Sequence, residues 1–158
     1  MFREMIRKRK AISQEECIEL LKNEPRGVLS VLGDEGYPYG MPMNFWYCEE
    51  NGKIYFHSAK KGHKVDAMAK CDKVSFCVYD KGYYGEGGWG LNIKSVIVFG
   101  RVKPIDDLDQ VIDICRKLSY KYTNDDSFIE GEIKTFGRAT LCYEMEIEHM
   151  CGKLVNES

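Results

Sequence analysis

The sequence predicts a mainly β protein, a six-stranded antiparallel β-barrel with flanking helices, in a single domain over residues 1–158. Three features carry that expectation. About six strand-like runs follow one another through tight turns, the pattern of a small closed barrel. The helical segments are short and fall near the start, middle and end of the chain. The run SVIVFG (95–100) is apolar at Val96 and Val98 and equally at Ile97 and Phe99, so both of its faces need cover. One face fills a barrel; the other requires helices or a second subunit.

Taken in order, Ser13-Gln14-Glu15-Glu16 is a capping box and opens a helix carrying Ile18, Leu20 and Leu21, closed by Pro25. RGVLSVL (26–32) reads as a strand and GDEGYP as a turn. YGMPMNFWY (39–47) is a second strand in which Pro42 demands an edge position or a bulge. After the turn EENG come a third strand, KIYFHS (53–58), a short helix over 63–70, and a fourth strand, KVSFCVY (73–79).

Residues 82–90, GYYGEGGWG, contain a formal GxGxxG at Gly85–Gly90. The dinucleotide fingerprint must follow a strand and open a helix. Here it runs into LNIKSVIVFGRV, which is a strand, so a mobile lid or a hairpin tip is the expected structure. The helix DLDQVIDICRKLSYKY aligns Leu108, Val111, Ile112, Cys115 and Leu118 on one stripe, and a weaker helix covers roughly 127–136. The last strand sets Leu141, Tyr143, Met145 and Ile147 against Glu144, Glu146 and Glu148 on the other face.

Composition narrows the function. With 44% hydrophobic and 30% charged residues the chain has the make-up of a soluble globular protein. A net charge of −2 supplies no global field towards nucleic acid or acidic membrane, so Arg7–Lys10 is expected to be a solvated arm or one that packs across a dimer. No secretory signal or membrane-length apolar run is visible. Seven cysteines, odd in number and without a CxxC pair, imply a reduced, cytoplasmic setting. His57, His63 and His149 lack metal spacing, so no metal is expected.

The segment IYFHSAKKGHKVDAM (54–68) passes from strand to helix through small, polar and cationic residues. Ser58 offers a hydroxyl, Gly62 permits close backbone approach, and His63 and Lys64 begin the helix. Helix N-termini bind anions through free N–H groups. From these residues alone, a phosphate cradle and a lysine-bearing surface connection are both open.

Several blocks together resemble the FMN-binding split-barrel proteins related to pyridoxamine 5′-phosphate oxidase, and among them the branch of 5-nitroimidazole-resistance proteins. They are REMIRKRKAIS, RGVLSVLGDEGYPYGMPMNFWY, IYFHSAKKGHKVDAM, KVSFCV, KSVIVFGRV and IEHMCGK, in that order over nearly the whole chain. The resemblance implies FMN as cofactor. Pro42, Met43 and Asn44 would line the edge of the isoalloxazine ring, and His57, Ser58 and Ala59 would lie beside the ribityl chain. Gly62, His63 and Lys64 would hold the phosphate, and Ser95 would touch the ring from below. It further implies a homodimer with flavin at the subunit interface, which would cover the second apolar face of SVIVFG.

The implied activity is that of an FMN-dependent oxidoreductase of small molecules, nitroimidazole reductase-like, with NAD(P)H as electron donor. The alternative is a flavin- or haem-binding split barrel without turnover. No Ser-His-Asp constellation or matched carboxylate pair is present, and no catalytic side chain is assigned. The chain departs from the branch at Cys151-Gly152-Lys153, where Thr-Gly-Lys is usual, and at the glycine-rich loop 82–90, which falls where the substrate mouth is expected.

Overall fold

The Ser13 capping box forms as its residues dictate. In the computed structural model, which describes residues 1–156, the Ser13 hydroxyl accepts the Glu16 N–H at 3.1 Å and the Glu16 carboxylate accepts the Ser13 N–H at 3.0 Å. Two otherwise unpaired donors of the helix start are thereby satisfied. The helix, α1 (Gln14–Asn23), buries Cys17, Leu20 and Leu21, while Ile18 is only half-buried. Strands β1 (Arg26–Leu32), β2 (Pro38–Asn44), β3 (Trp46–Cys48) and β4 (Lys53–Ala59) follow, then α2 (His63–Lys70) and β5 (Lys73–Tyr79). After them come β6 (Tyr83–Tyr84), β7 (Leu91–Ile105), α3 (Leu108–Tyr120), α4 (Asp126–Phe136) and β8 (Thr140–Val155). The six expected strands become eight because the second divides at Phe45 and the glycine loop contributes the two-residue β6.

All pairings are antiparallel, in the order β2-β1-β5-β7-β8-β4-β3, with β6 on β7. β2 and β3 lie at opposite ends of that order, yet Phe45 alone separates them in the chain. Laid flat, seven strands would hold those edges about 29 Å apart. Two Cα steps of about 3.8 Å cannot bridge that gap. The sheet must therefore roll until its edges meet at Phe45, which is fully buried edge-on against Phe76 at 4.8 Å.

Residues after α3 clamp this junction. The Tyr122 hydroxyl accepts the Phe45 N–H at 3.0 Å and donates to the Pro25 carbonyl at 2.6 Å. The Lys121 ammonium lies 3.4 Å from the Phe45 ring centroid and donates to the Leu21 carbonyl, and burial pushes its pKa down to about 8.

On one side of Phe45 the edges diverge. β2 pairs only with β1, and from Phe56 onward β4 pairs only with β8. The barrel is split there. Pro42 accordingly sits on an edge strand, where its missing N–H breaks no ladder.

β7 and β8 form the long spine of the sheet. Between Phe99 and Gly100 the register slips, because Phe99 pairs with His149 and Gly100 with Ile147, leaving Glu148 as the extra residue of a bulge. The expected alternation of the last strand holds up to this point, with Leu141, Tyr143 and Met145 buried, and then changes parity. Met150 packs on the core and Gly152 is buried. Gly100 is required at the bulge, since a Cβ there would collide with the Glu146 carbonyl oxygen. On β7, Val96 and Val98 are fully buried, while Ile97 and Phe99 face outward, 42% and 39% exposed.

The stripe of α3 is rotated from the expected one. Val111, Ile114 and Leu118 are buried, Leu108 is exposed, and Ile112 and Cys115 are half-buried. The cause is a second small core outside the barrel, where Val111 and Ile114 pack against Cys48, Tyr55 and Cys142. Among the described residues no helix is long and apolar enough to cross a membrane.

Candidate functional site

Two sheet edges that part company leave backbone N–H and C=O groups without ladder partners. The split forms a cleft of about 630 Å³, within the range of small-molecule sites. Pro42, Met43 and Asn44 line one edge, and His57, Ser58 and Ala59 the other. Lys64 reaches in from α2, so seven of the ten expected residues share one cavity.

Ser58 is 6% exposed, the one buried polar residue among those described, and its hydroxyl donates to the Ala59 carbonyl at 2.8 Å. His57 is exposed at the edge of the cleft, yet its ring is partly desolvated. That desolvation, followed by the nearby Lys64 ammonium, pushes its pKa down, which keeps the imidazole neutral at pH 7. The Lys64 ammonium lies 3.8 Å from the Met43 sulfur and forms no ion pair among the described residues. A cation without a counter-ion at the end of a polar cleft attracts an anion.

The start of α2 adds backbone donors. Gly62 holds φ 133°, a conformation natural to glycine, and open space lies where a side chain would begin. The Val65 and Asp66 N–H groups both donate to its carbonyl, at 3.0 and 3.1 Å. The N–H groups of His63 and Lys64 lie in the first turn, ahead of any carbonyl the helix could offer them.

Three expected residues are not in the cavity wall. Gly62 stands outside it at the helix start. The His63 ring turns away: its Nε2 accepts the Asp34 N–H at 3.2 Å, and the ring stacks on Tyr39 with centroids 4.2 Å apart. It braces α2 against the β1–β2 turn. Ser95 lies on the outer face of β7 with Ile97 and Phe99, since Val96 and Val98 point inward.

Sequence reasoning missed several wall residues. Arg26 lies directly across the β1–β2 pair from Asn44, and its Nε donates to the Asn44 carboxamide oxygen at 2.9 Å. Only the register of the folded hairpin brings it there. Phe136, Ala139 and Thr140 close the cleft from the far end of the chain, and no local pattern announces them. A second lobe of about 330 Å³ continues between α3 and α4, sharing Asn44, His57, Phe136 and Thr140 with the first. Cys115, Leu118, Phe128 and Glu132 line its new part.

The glycine-rich segment is a hairpin. Tyr83 and Tyr84 pair with Asn92 and Leu91, and the Gly88 N–H donates to the Gly85 carbonyl at 3.0 Å. It lines neither lobe of the cleft in its own chain. Tyr83 faces a separate recess with Arg9, Lys10 and Lys94. Trp89 is 81% exposed, so it packs in no fixed apolar seam of its own chain. The basic arm lies on its own sheet: Ala11 bridges to Lys153, Lys10 donates to the Asn156 carbonyl, and Phe2 stacks on His149 and Phe99. Among the described residues no three His, Cys, Asp or Glu side chains converge as a metal would require.

The site therefore offers free strand edges, an apolar extension and a cationic end. The description of the family model that matches the chain is pyridoxamine 5′-phosphate oxidase, over residues 13–154. The fold is similar to that of a candidate 5-nitroimidazole antibiotic resistance protein from Bacteroides thetaiotaomicron, with TM-score 0.76 and 20% identity over 92% of this chain and 87% of that one. A FAD-binding protein from Mesorhizobium loti aligns with TM-score 0.65 and 23% identity, covering 92% of this chain and 97% of that one. A FAD and haem binding protein from Mycobacterium smegmatis aligns with TM-score 0.74 and 18% identity, covering 94% and 74%. No curated protein matches the chain.

Proposed function

The chain belongs to the pyridoxamine 5′-phosphate oxidase family, and from that premise we propose that it is an FMN-binding oxidoreductase of small molecules, nitroimidazole reductase-like, using NAD(P)H as electron donor. The observation that carries this reading is the split-edge cleft with the unpaired Lys64 ammonium at one end. The flavin, when bound, supplies the two-electron transfer chemistry, and the protein supplies binding and orientation. Lys64 and the first-turn N–H groups of α2 would hold the phosphate. The backbone edge of Pro42, Met43 and Asn44 would meet the polar rim of the ring, and Arg26 holds Asn44 in place. His57, neutral at pH 7, is positioned as a hydrogen-bonding wall rather than a counter-charge.

The decisive measurement is the absorption spectrum and mass of the ligand that co-purifies. A flavin spectrum with the mass of FMN supports the reading. A haem Soret band would instead favour the binding protein without turnover that the resemblance to a FAD and haem binding protein suggests, and the mass of FAD would refute the choice of FMN. Steady oxidation of NADH or NADPH by the purified holoprotein then separates an enzyme from a binder.

The exposed apolar face of β7 supports a homodimer with the flavin at its interface, an arrangement in which a second copy brings Ser95 and the 82–90 hairpin to the cleft. Under this reading Trp89→Ala changes turnover or substrate affinity while flavin content and dimerisation persist. Because Trp89 is exposed, its removal should alter stability by no more than about 0.5 kcal/mol. Reductase kinetics per bound flavin, beside the melting temperature, check both statements; a large fall in melting temperature with unchanged kinetics would remove the lid.

A further inference from the structure

We propose that Cys115 and Cys142 form a second redox site on the wall of the cleft, a dithiol that a peroxide oxidises reversibly to a disulfide. Their sulfurs lie 3.8 Å apart, the one thiol–thiol contact among the described residues. Cys142 is fully buried, and its thiol also lies within 3.9 Å of the Val111 carbonyl. Cys115 is half-buried on α3 and lines the second lobe of the cleft, so a small oxidant can reach it. One thiol is thus presented to the cavity while its partner waits behind it.

The chemistry separates the two roles. The contact between the two thiols lowers the pKa of Cys115, whereas that same contact and burial raise that of Cys142. Cys115 is the nucleophile, because it is the thiol of the pair that lines the cavity where an oxidant arrives, and it reacts as the thiolate. Its sulfur attacks one peroxide oxygen, the O–O bond breaks, and the departing hydroxide takes a proton to leave as water. The resulting Cys115 sulfenic acid is attacked by the Cys142 sulfur. The S–S bond forms, the S–O bond breaks, and hydroxide leaves with the Cys142 proton as a second water. Two thiols lose two electrons and two protons, and one peroxide becomes two waters.

The geometry asks for little movement. Bonded sulfurs lie about 2.0 Å apart, so the pair must close by roughly 1.8 Å. Cys115, half-exposed on a helix, has room to change rotamer, while Cys142 is held by its ladder pairing with His57 and Ile105. The other cysteines lack this arrangement. Burial pushes the Cys17 thiol up to about 11, and burial raises that of Cys77 as well.

The test is peptide mapping of the purified full-length holoprotein after a few equivalents of hydrogen peroxide and blocking of free thiols with iodoacetamide. The expected product links the Cys115 and Cys142 peptides, loses two hydrogens, leaves the other five cysteines alkylated, and reverts with dithiothreitol. Cys115 should be oxidised before Cys77, whose thiol burial pushes up. In Cys142→Ser, dimedone should trap a sulfenic acid at Cys115. Oxidation that falls first on Cys71, Cys77 or Cys151, a Cys17–Cys151 link in its place, or over-oxidation of Cys115 without a link in the unaltered protein would each overturn the proposal. The mapping of the unaltered protein decides the matter even if a variant fails to fold.

Discussion

Lys64→Ala should weaken FMN binding by about one to two decades and leave riboflavin binding nearly unchanged. A charge-assisted contact to phosphate contributes roughly 1.5–3 kcal/mol, and about 1.4 kcal/mol is a decade of affinity. The residue is suited to such a test because its ammonium touches only the Met43 sulfur and no carboxylate. Truncation therefore strands no buried partner, and the melting temperature should hardly move. Titration of the apoprotein with both flavins, followed by flavin fluorescence, gives the two dissociation constants side by side. Equal losses for FMN and riboflavin would mean that Lys64 acts through the fold rather than the phosphate.

Ile97→Glu should dissociate the proposed homodimer and release flavin with it. Ile97 is 42% exposed on the outer face of β7, so one chain by itself tolerates a carboxylate there. Across a dimer interface the same carboxylate is desolvated without a partner, at a cost of about 3 kcal/mol or more, which is two decades or more in the dimer dissociation constant. Phe99 beside it is a poorer choice, because it also carries the stacking of Phe2 and His149 within the chain. Sedimentation across a concentration series, read at the protein and flavin wavelengths together, measures both losses. A wild-type protein that sediments as a monomer with full flavin occupancy would sink the dimer and the interfacial position of the cofactor.

Much of the fold was legible because it is written in local chemistry. The capping box at Ser13, the edge position of Pro42, the doubly apolar run at Val96–Phe99 and the start of α2 at His63 each depend on neighbours a few residues away. Pro42–Asn44 and His57–Ala59 were named through the family resemblance rather than local pattern, and they share one cavity. The cleft was not legible at Arg26, which enters through strand register, nor at Phe136 and Thr140, which arrive from far along the chain. Nor was the direction of the His63 ring legible, because Tyr39 and the Asp34 N–H, distant in sequence, offer it its partners.

By itself the sequence determined most of the strand and helix stretches and which face of most strands is apolar, since periodicity records how side chains are disposed about their own backbone. It also determined that a cation and a glycine stand at the start of a short helix. Only the tertiary structure decided that the sheet closes at Phe45 and splits beside it, that α3 turns Ile114 inward and leaves Leu108 out, that Ser95 faces away from the cleft, and that Cys115 meets Cys142. The physical reason is the same in each case. Periodicity gives a face but not its partner, and partners are chosen by how a rolled sheet brings distant edges and helices into contact.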